Sequence, residues 1–205
     1  MRGLVGGDRM VTVQVPGAVI GRPGGSLSGA AAGWAKNAQV AQIGQRGELQ
    51  TAHILNRLAT APGGPTVFHD LTIPIPGFTA NIDHVVVSGR TVTVLDSKVW
   101  KPGFYWTLGG TRRGLEPFRF ADTKTLPTAV AALRRHLQTF RLEPQFGRSV
   151  LVVWPSSTGP MQMWAFRPQA AVAVPGHQFA HRARHLVGVS PADPRTVAAL
   201  RALVR

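Results

Sequence analysis

A chain of 205 residues with 44% hydrophobic content can bury one sizeable core and is short for two full domains. Its 23 Lys and Arg against 9 Asp and Glu give a formal charge of +14 at pH 7, so the surface attracts polyanions, nucleic acid first and an anionic membrane second. The chain has no cysteine, which excludes a disulfide framework, a thiolate nucleophile and a cysteine-ligated zinc and leaves any metal to carboxylates or histidines.

Residues 1–33 read as a flexible Gly-rich arm ahead of one domain, 34–205. Within the arm, Val11–Val15 alternates like a short strand. Gly21-Arg22-Pro23-Gly24-Gly25-Ser26 lacks the Lys of a P-loop and the Rossmann glycine spacing, so it reads as linker. Arg2 is followed by Asp8, and Pro16 cuts the apolar stretch, so no signal-peptide core is expected. No run approaches the roughly 20 apolar residues of a spanning helix, and a cytoplasmic location is the default expectation.

From Trp34 to Leu58, the apolar positions Val40, Ile43, Leu49, Ile54, Leu55 and Leu58 fit a helical stripe, weakened by Gly44 and Gly47 and stopped by Pro62-Gly63-Gly64-Pro65. Three runs rich in Val, Ile and Thr follow, Val67–Ile73, Asn81–Val87 and Thr91–Val99, which predict an antiparallel meander. Phe104 to Phe120 is irregular, aromatic and basic. A helix is expected from Leu126 to Phe140. A fourth, central strand is expected at Ser149–Trp154, which is apolar throughout, and a fifth at Ala170–Val174. A last helix should begin at Pro194. The order is α-β-β-β-α-β-(β)-α, an α/β (α+β) chain with a mixed sheet of about four to five strands flanked by helices and no internal repeat.

Strand parity decides which polar groups can meet. Asp96 and Lys98 share a face by spacing alone. If the hairpin loop is Ser88–Thr91, Val87 pairs with Val92 and Asp83 lies opposite Asp96; if it is Ser88-Gly89, the two acids are diagonal neighbours on one face. Either register clusters Asp83, Asp96 and Lys98. Two carboxylates so close repel, and a bound cation is the usual relief, which predicts a Mg²⁺ or Mn²⁺ site. Such an ion acidifies water and stabilises charge on a leaving oxygen, with Lys98 placed to orient that water or to neutralise developing charge. The competing reading is a set of solvated strand acids paired with arginine.

Gly47-Glu48, Asn81-Ile82-Asp83-His84-Val85-Val86-Val87 and Leu95-Asp96-Ser97-Lys98-Val99-Trp100, in this order and spacing, resemble the nuclease-related domain, NERD, of the PD-(D/E)xK nuclease superfamily. The match covers about residues 44–103. It implies a restriction-endonuclease-like core, with Asp83 and Asp96 as metal ligands, Lys98 as the catalytic lysine and Glu48 on the first helix as an auxiliary acid and ligand. Where the family commonly carries a polar Asn-Pro and then a Gln on the helix after the sheet, this chain has Leu126-Pro127 followed by small or apolar residues.

His177, His181 and His185 stand four apart, but with Arg182 and Arg184 interleaved and no acid nearby they read as a solvated or phosphate-facing stripe. His84 points away from Asp83 and reads as structural. A Ser-His-Asp hydrolase is not expected, because no Gly-x-Ser-x-Gly elbow is present. Arg112, Arg113, Arg134 and Arg135, among Phe104, Tyr105, Trp106, Phe118 and Phe120, suit contact with DNA backbone, and Trp100 either stacks on a base or packs under a loop. The sequence therefore predicts a Mg²⁺-dependent (or Mn²⁺-dependent) nuclease acting on DNA. The alternatives are a DNA-binding module on the same fold without turnover, in plasmid transfer, repair or defence, and a basic protein that docks non-specifically on nucleic acid or anionic lipid.

Overall fold

A computed structural model describes residues 15–25, 38–77, 80–119 and 125–205. Among these, the backbone of one large mixed sheet follows the order β1-β2-β3-β4-β9-β11, with β8 (Gln145–Phe146) also pairing β4, for seven strands in all. Its members are β1 (Val19–Ile20), β2 (Thr66–Thr72), β3 (Asn81–Ser88), β4 (Thr91–Trp100), β9 (Ser149–Pro155) and β11 (Ala171–Pro175). A second sheet of four short strands runs β10-β5-β6-β7, comprising β5 (Gly103–Thr107), β6 (Thr111–Arg113), β7 (Glu116–Pro117) and β10 (Met161–Ala165).

The meander forms as expected: β2 pairs β3 and β3 pairs β4, both antiparallel. Gly89, with φ +56°, opens the two-residue turn between Ser88 and Thr91, a position where a side chain would be strained. The strand β9 lies parallel between β4 and β11, and its Val150–Val153 run is buried on both faces. On one face, Leu55 and Ala59 of α1 (Ala38–Ala59) and Phe179, Ala183 and Val187 of α3 (Gly176–Val187) cover Val67, Val86, Leu95, Val150 and Val152. On the other, Leu133 and Leu137 of α2 (Thr125–Thr139) and Leu200 of α4 (Pro194–Arg201) cover Phe68, Val85, Val87, Val92 and Val94. The small sheet completes that second layer, with Tyr105, Met161, Met163 and Phe166 against Leu151 and Val153. Asp193 caps α4 by accepting from the Thr196 backbone N–H at 2.9 Å, with Pro194 in the first turn.

Three features differ from the sequence expectation. The large sheet has more than four or five strands, because two-residue pieces such as β1 and β8 carry too little periodicity to be read. Residues 15–25 do not behave as an arm: β1 pairs parallel with β2, with Val19 level with Val67. The rest of that arm, including most of Val11–Val15, lies outside the described residues. Finally, the irregular aromatic stretch folds as the small sheet, and the His177–His185 segment is helix α3. Its three histidines are exposed, in keeping with the solvated stripe expected.

Candidate active site

The β3–β4 ladder fixes Val87 against Val92 and His84 against Leu95, so one further step brings Asp83 level with Asp96. This is the register in which the loop is Ser88–Thr91. Asp96 is buried, while Asp83 and Lys98 are half-buried. The ladder holds the acids by specific bonds: the Ser97 backbone N–H donates to Asp83 Oδ2 at 2.7 Å, and Lys98 Nζ donates to Asp96 Oδ1 at 3.1 Å. That ion pair is short and largely shielded from water, so it is screened less than a surface pair.

Glu48 joins them from α1. A Cβ on Gly47 would stand 2.6 Å from Val99 Cγ2, so only glycine lets the helix approach β4 this closely. Gly47 weakens the helical propensity that the sequence pattern displays, and here that cost delivers Glu48 to the acids. Burial, then the charge of Asp83, raises the Glu48 carboxyl to about 8, with Asp70 and Asp96 adding to the rise and Lys98 opposing it.

Asp70 was not anticipated as part of the site. It is buried, adopts φ +55°, and lies between the ladder pairs His69–His84 and Leu71–Ile82, hence level with Asp83. Asn81 Nδ2 donates to Asp70 Oδ1 at 2.6 Å. Of nine acids in the chain, Glu48, Asp70, Asp83 and Asp96 share one neighbourhood. The only available sequence signal was position, since Asp70 stands thirteen residues before Asp83 and Asp83 thirteen before Asp96 on consecutive strands. A Cβ on Gly25 would sit 2.6 Å from Asp70 Oδ2, so the Gly21–Gly25 turn rests against a carboxylate. That position suits no phosphate cradle.

Beneath the acids, facing α1, runs a buried polar chain. His69 Nε2 meets Asn56 Oδ1 at 2.8 Å, His69 Nδ1 meets His84 Nδ1 at 2.8 Å, and His84 Nε2 meets Ser97 Oγ at 3.2 Å. Ser97 Oγ donates to Thr51 Oγ1 at 2.8 Å, and Trp154 Nε1 donates to the same oxygen at 2.9 Å. Burial lowers His69 to about 4, and burial with His69 beside it lowers His84 well below the usual range. Both rings are therefore neutral, and their Nδ1–Nδ1 contact requires one to donate and the other to accept. His84 is the structural residue expected from parity, and the chain ties β2, β3 and β4 to α1 directly under Asp83 and Asp96.

The donor set is hard oxygen, which suits Mg²⁺ or Mn²⁺ rather than a softer ion. Among the described residues no three His, Asp or Glu side chains form a ready-made cage. Mg²⁺ does not need one, because it commonly takes one or two carboxylates and completes its shell with water and substrate phosphate.

The expected DNA contacts divide. Arg134 and Arg135 are exposed on α2, with Arg134 5.1 Å from the Phe146 ring centroid. Arg112 and Arg113 are half-exposed on β6; Arg112 donates to the Leu115 carbonyl at 3.0 Å and Arg113 meets Glu116 at 3.5 Å. Trp100 packs into the small sheet's aromatic core, 4.8 Å from Phe118 and 5.1 Å from Tyr105 between centroids. It packs there because the same parity that aligns it with Lys98 turns it toward the covering strands. No described helix is long and apolar enough to cross a membrane.

A family model for the nuclease-related domain (NERD) matches residues 43–154, more than half of the chain. No curated protein and no solved structure matches it.

Proposed function

The chain belongs to the nuclease-related domain family, and from that premise we propose that it is a divalent-metal-dependent nuclease hydrolysing phosphodiester bonds in DNA on a restriction-endonuclease-like core. The observation that carries the reading is the convergence of Asp83, Asp96, Lys98 and Glu48, close enough for the charges of the first three to act on the Glu48 carboxyl. Asp83 and Asp96 would hold Mg²⁺ or Mn²⁺, with Glu48 as the auxiliary acid. When bound, the ion supplies an acidified water and charge neutralisation at phosphate.

The protein groups do the rest. Lys98 Nζ, 3.1 Å from Asp96, orients the attacking water or offsets the charge that builds on the phosphate oxygens. Glu48, neutral up to about pH 8, is able to hold a proton close to the reacting groups and give it up when a cation replaces that charge. Asp83, fixed by the Ser97 N–H, is kept in one orientation.

The binding-module reading is favoured by one observation. Leu126, at the start of α2, is buried in the apolar core where the family pattern is polar, so its side chain gives the acids no polar support. A supercoiled-plasmid assay with Mg²⁺ or Mn²⁺ separates the two. Nicking by the wild type, lost in Asp96→Asn and Lys98→Ala, supports turnover. An intact plasmid bound equally by all three proteins in EDTA supports the module.

A further inference from the structure

On the face of the large sheet that carries Asp96, but over its far edge, a cavity of about 350 Å³ opens between β10, β11 and α3. Its rim brings together three arginines from separate segments: Arg148 ahead of β9, Arg167 after β10 and Arg182 on α3. No Asp or Glu lines it, and neither Lys98–Asp96 nor Arg113–Glu116, ion pairs among the described residues, involves any of the three. Three arginines lining one cavity concentrate positive charge there, and an anion is what offsets it.

Two of the arginines are pre-positioned by backbone. Arg167 Nη1 donates to the carbonyls of Trp164 at 2.6 Å and Phe166 at 3.2 Å, and Arg148 Nη2 reaches the Ala171 carbonyl at 3.5 Å. Each guanidinium has five N–H donors, so most remain for a ligand. The fourth wall is Trp164, 73% exposed. One ring face rests on Phe104, with centroids 5.3 Å apart and planes 29° from parallel, which leaves the other open. An aromatic face held open beside a cationic cluster matches a molecule that is flat at one end and anionic at the other.

We propose that this cavity binds a nucleoside phosphate, with the base over Trp164 and the phosphate among Arg148, Arg167 and Arg182. Its volume is in the range of small-ligand sites. The ligand is supplied either as the phosphorylated end of a nucleic-acid strand or as a free mononucleotide. Asp96 is level with Leu151 and Leu151 with Ala173, which lines the cavity, so two inter-strand spacings, roughly 10 Å, separate the acid's strand from the cavity's edge. A strand end held there would lie beside the acids; that consequence rests on the nuclease reading, whereas binding in the cavity does not.

The test is fluorescence anisotropy in EDTA, which keeps cleavage out of the readout, using short single-stranded oligonucleotides with a 5′-phosphate, a 3′-phosphate or neither. A phosphate at one end should tighten binding roughly tenfold. Arg167→Ala with Arg182→Ala, both at exposed positions, should abolish that preference. Trp164→Ala should weaken the phosphorylated strand roughly fivefold or more. Competition by a nucleoside monophosphate assigns the site to free nucleotides, and competition by phosphorylated strands alone assigns it to strand ends. Equal binding of all three oligonucleotides with no mononucleotide competition overturns the proposal. So does a preference that survives the double variant, or displacement by inorganic phosphate as effective as by the nucleotide. Failure of the plasmid assay leaves these outcomes untouched.

Discussion

The two sheets divide the charges of this molecule. Around the β2–β4 end of the large sheet, four of the nine acids gather where Asp70 and Asp96 are buried, and Glu48 keeps its proton to about pH 8. The small sheet and its flanks carry Arg112, Arg113 and Arg167 at the surface, with Trp164 exposed beside them. Charges taken out of water must pair, share a proton or recruit a counter-ion, whereas charges left in water act at a distance and are screened by salt. The acid end should therefore govern rate and stability, and the arginine end affinity.

The sharpest test of that division is kinetic. Lys98→Ala should cost on the order of 10²–10⁴ in kcat, with KM little changed, because the lysine sits among the acids. Arg112→Ala with Arg113→Ala should do the reverse, raising KM, weakening DNA binding and lowering its logarithmic salt slope by about 2 with kcat retained. Measured plasmid-nicking rates across substrate concentration decide it, and equal kcat losses in both variants would break the comparison.

Next in size is the buried chain under the acids. His84→Ala removes the partner of both His69 Nδ1 and Ser97 Oγ in a dry setting, and should cost about 2–4 kcal/mol in denaturant unfolding. The native histidines also set a pH dependence. Both rings are held below their ordinary range, so the folded state binds fewer protons than the unfolded one, and stability falls as pH drops from about 6.5 towards 4. Unfolding of His84→Ala should show a shallower fall over that window.

Glu48 acts with the opposite sign. Its folded value of about 8 lies above the ordinary 4.5, so the folded state holds the proton longer, and the penalty grows as pH rises from about 4.5 and is complete above about 8. Glu48→Gln should leave the melting temperature unchanged at pH 4 and raise it at pH 8.5, by a few degrees. A variant melting below wild type at pH 8.5 would mean that Glu48 is stabilised there by a partner rather than strained by burial.

Much of the acid end was legible in the sequence, because parity along a hairpin is a rule of covalent geometry: once Gly89 fixes the turn, Asp83, Asp96 and Lys98 must share a face. Asp70 was legible only by its spacing, since its left-handed backbone breaks the strand parity by which its facing would have been read. Gly47 reads as a weakness in the sequence, because propensity measures an isolated helix and not one that must approach a strand. The small sheet escaped detection for a further reason. Its strands are two to five residues long, and what joins them is parallel pairing between β10 and β5, more than fifty residues apart, which no local pattern reports.

The smallest effect concerns α2 and decides how far the basic surface extends. Arg134 and Arg135 are both exposed, yet they are not equivalent, because Arg134 lies over the Phe146 ring. A guanidinium seated on an aromatic face contributes about 0.5–1 kcal/mol to stability and is less available to phosphate. Arg135→Ala should therefore lower the logarithmic salt slope of duplex binding by about 1 with no change in melting temperature. Arg134→Ala should lower the slope by less than that and destabilise the fold slightly. If neither changes the slope while the β6 arginines do, the nucleic-acid surface stops at the small sheet, and α2 is simply a solvated helix face.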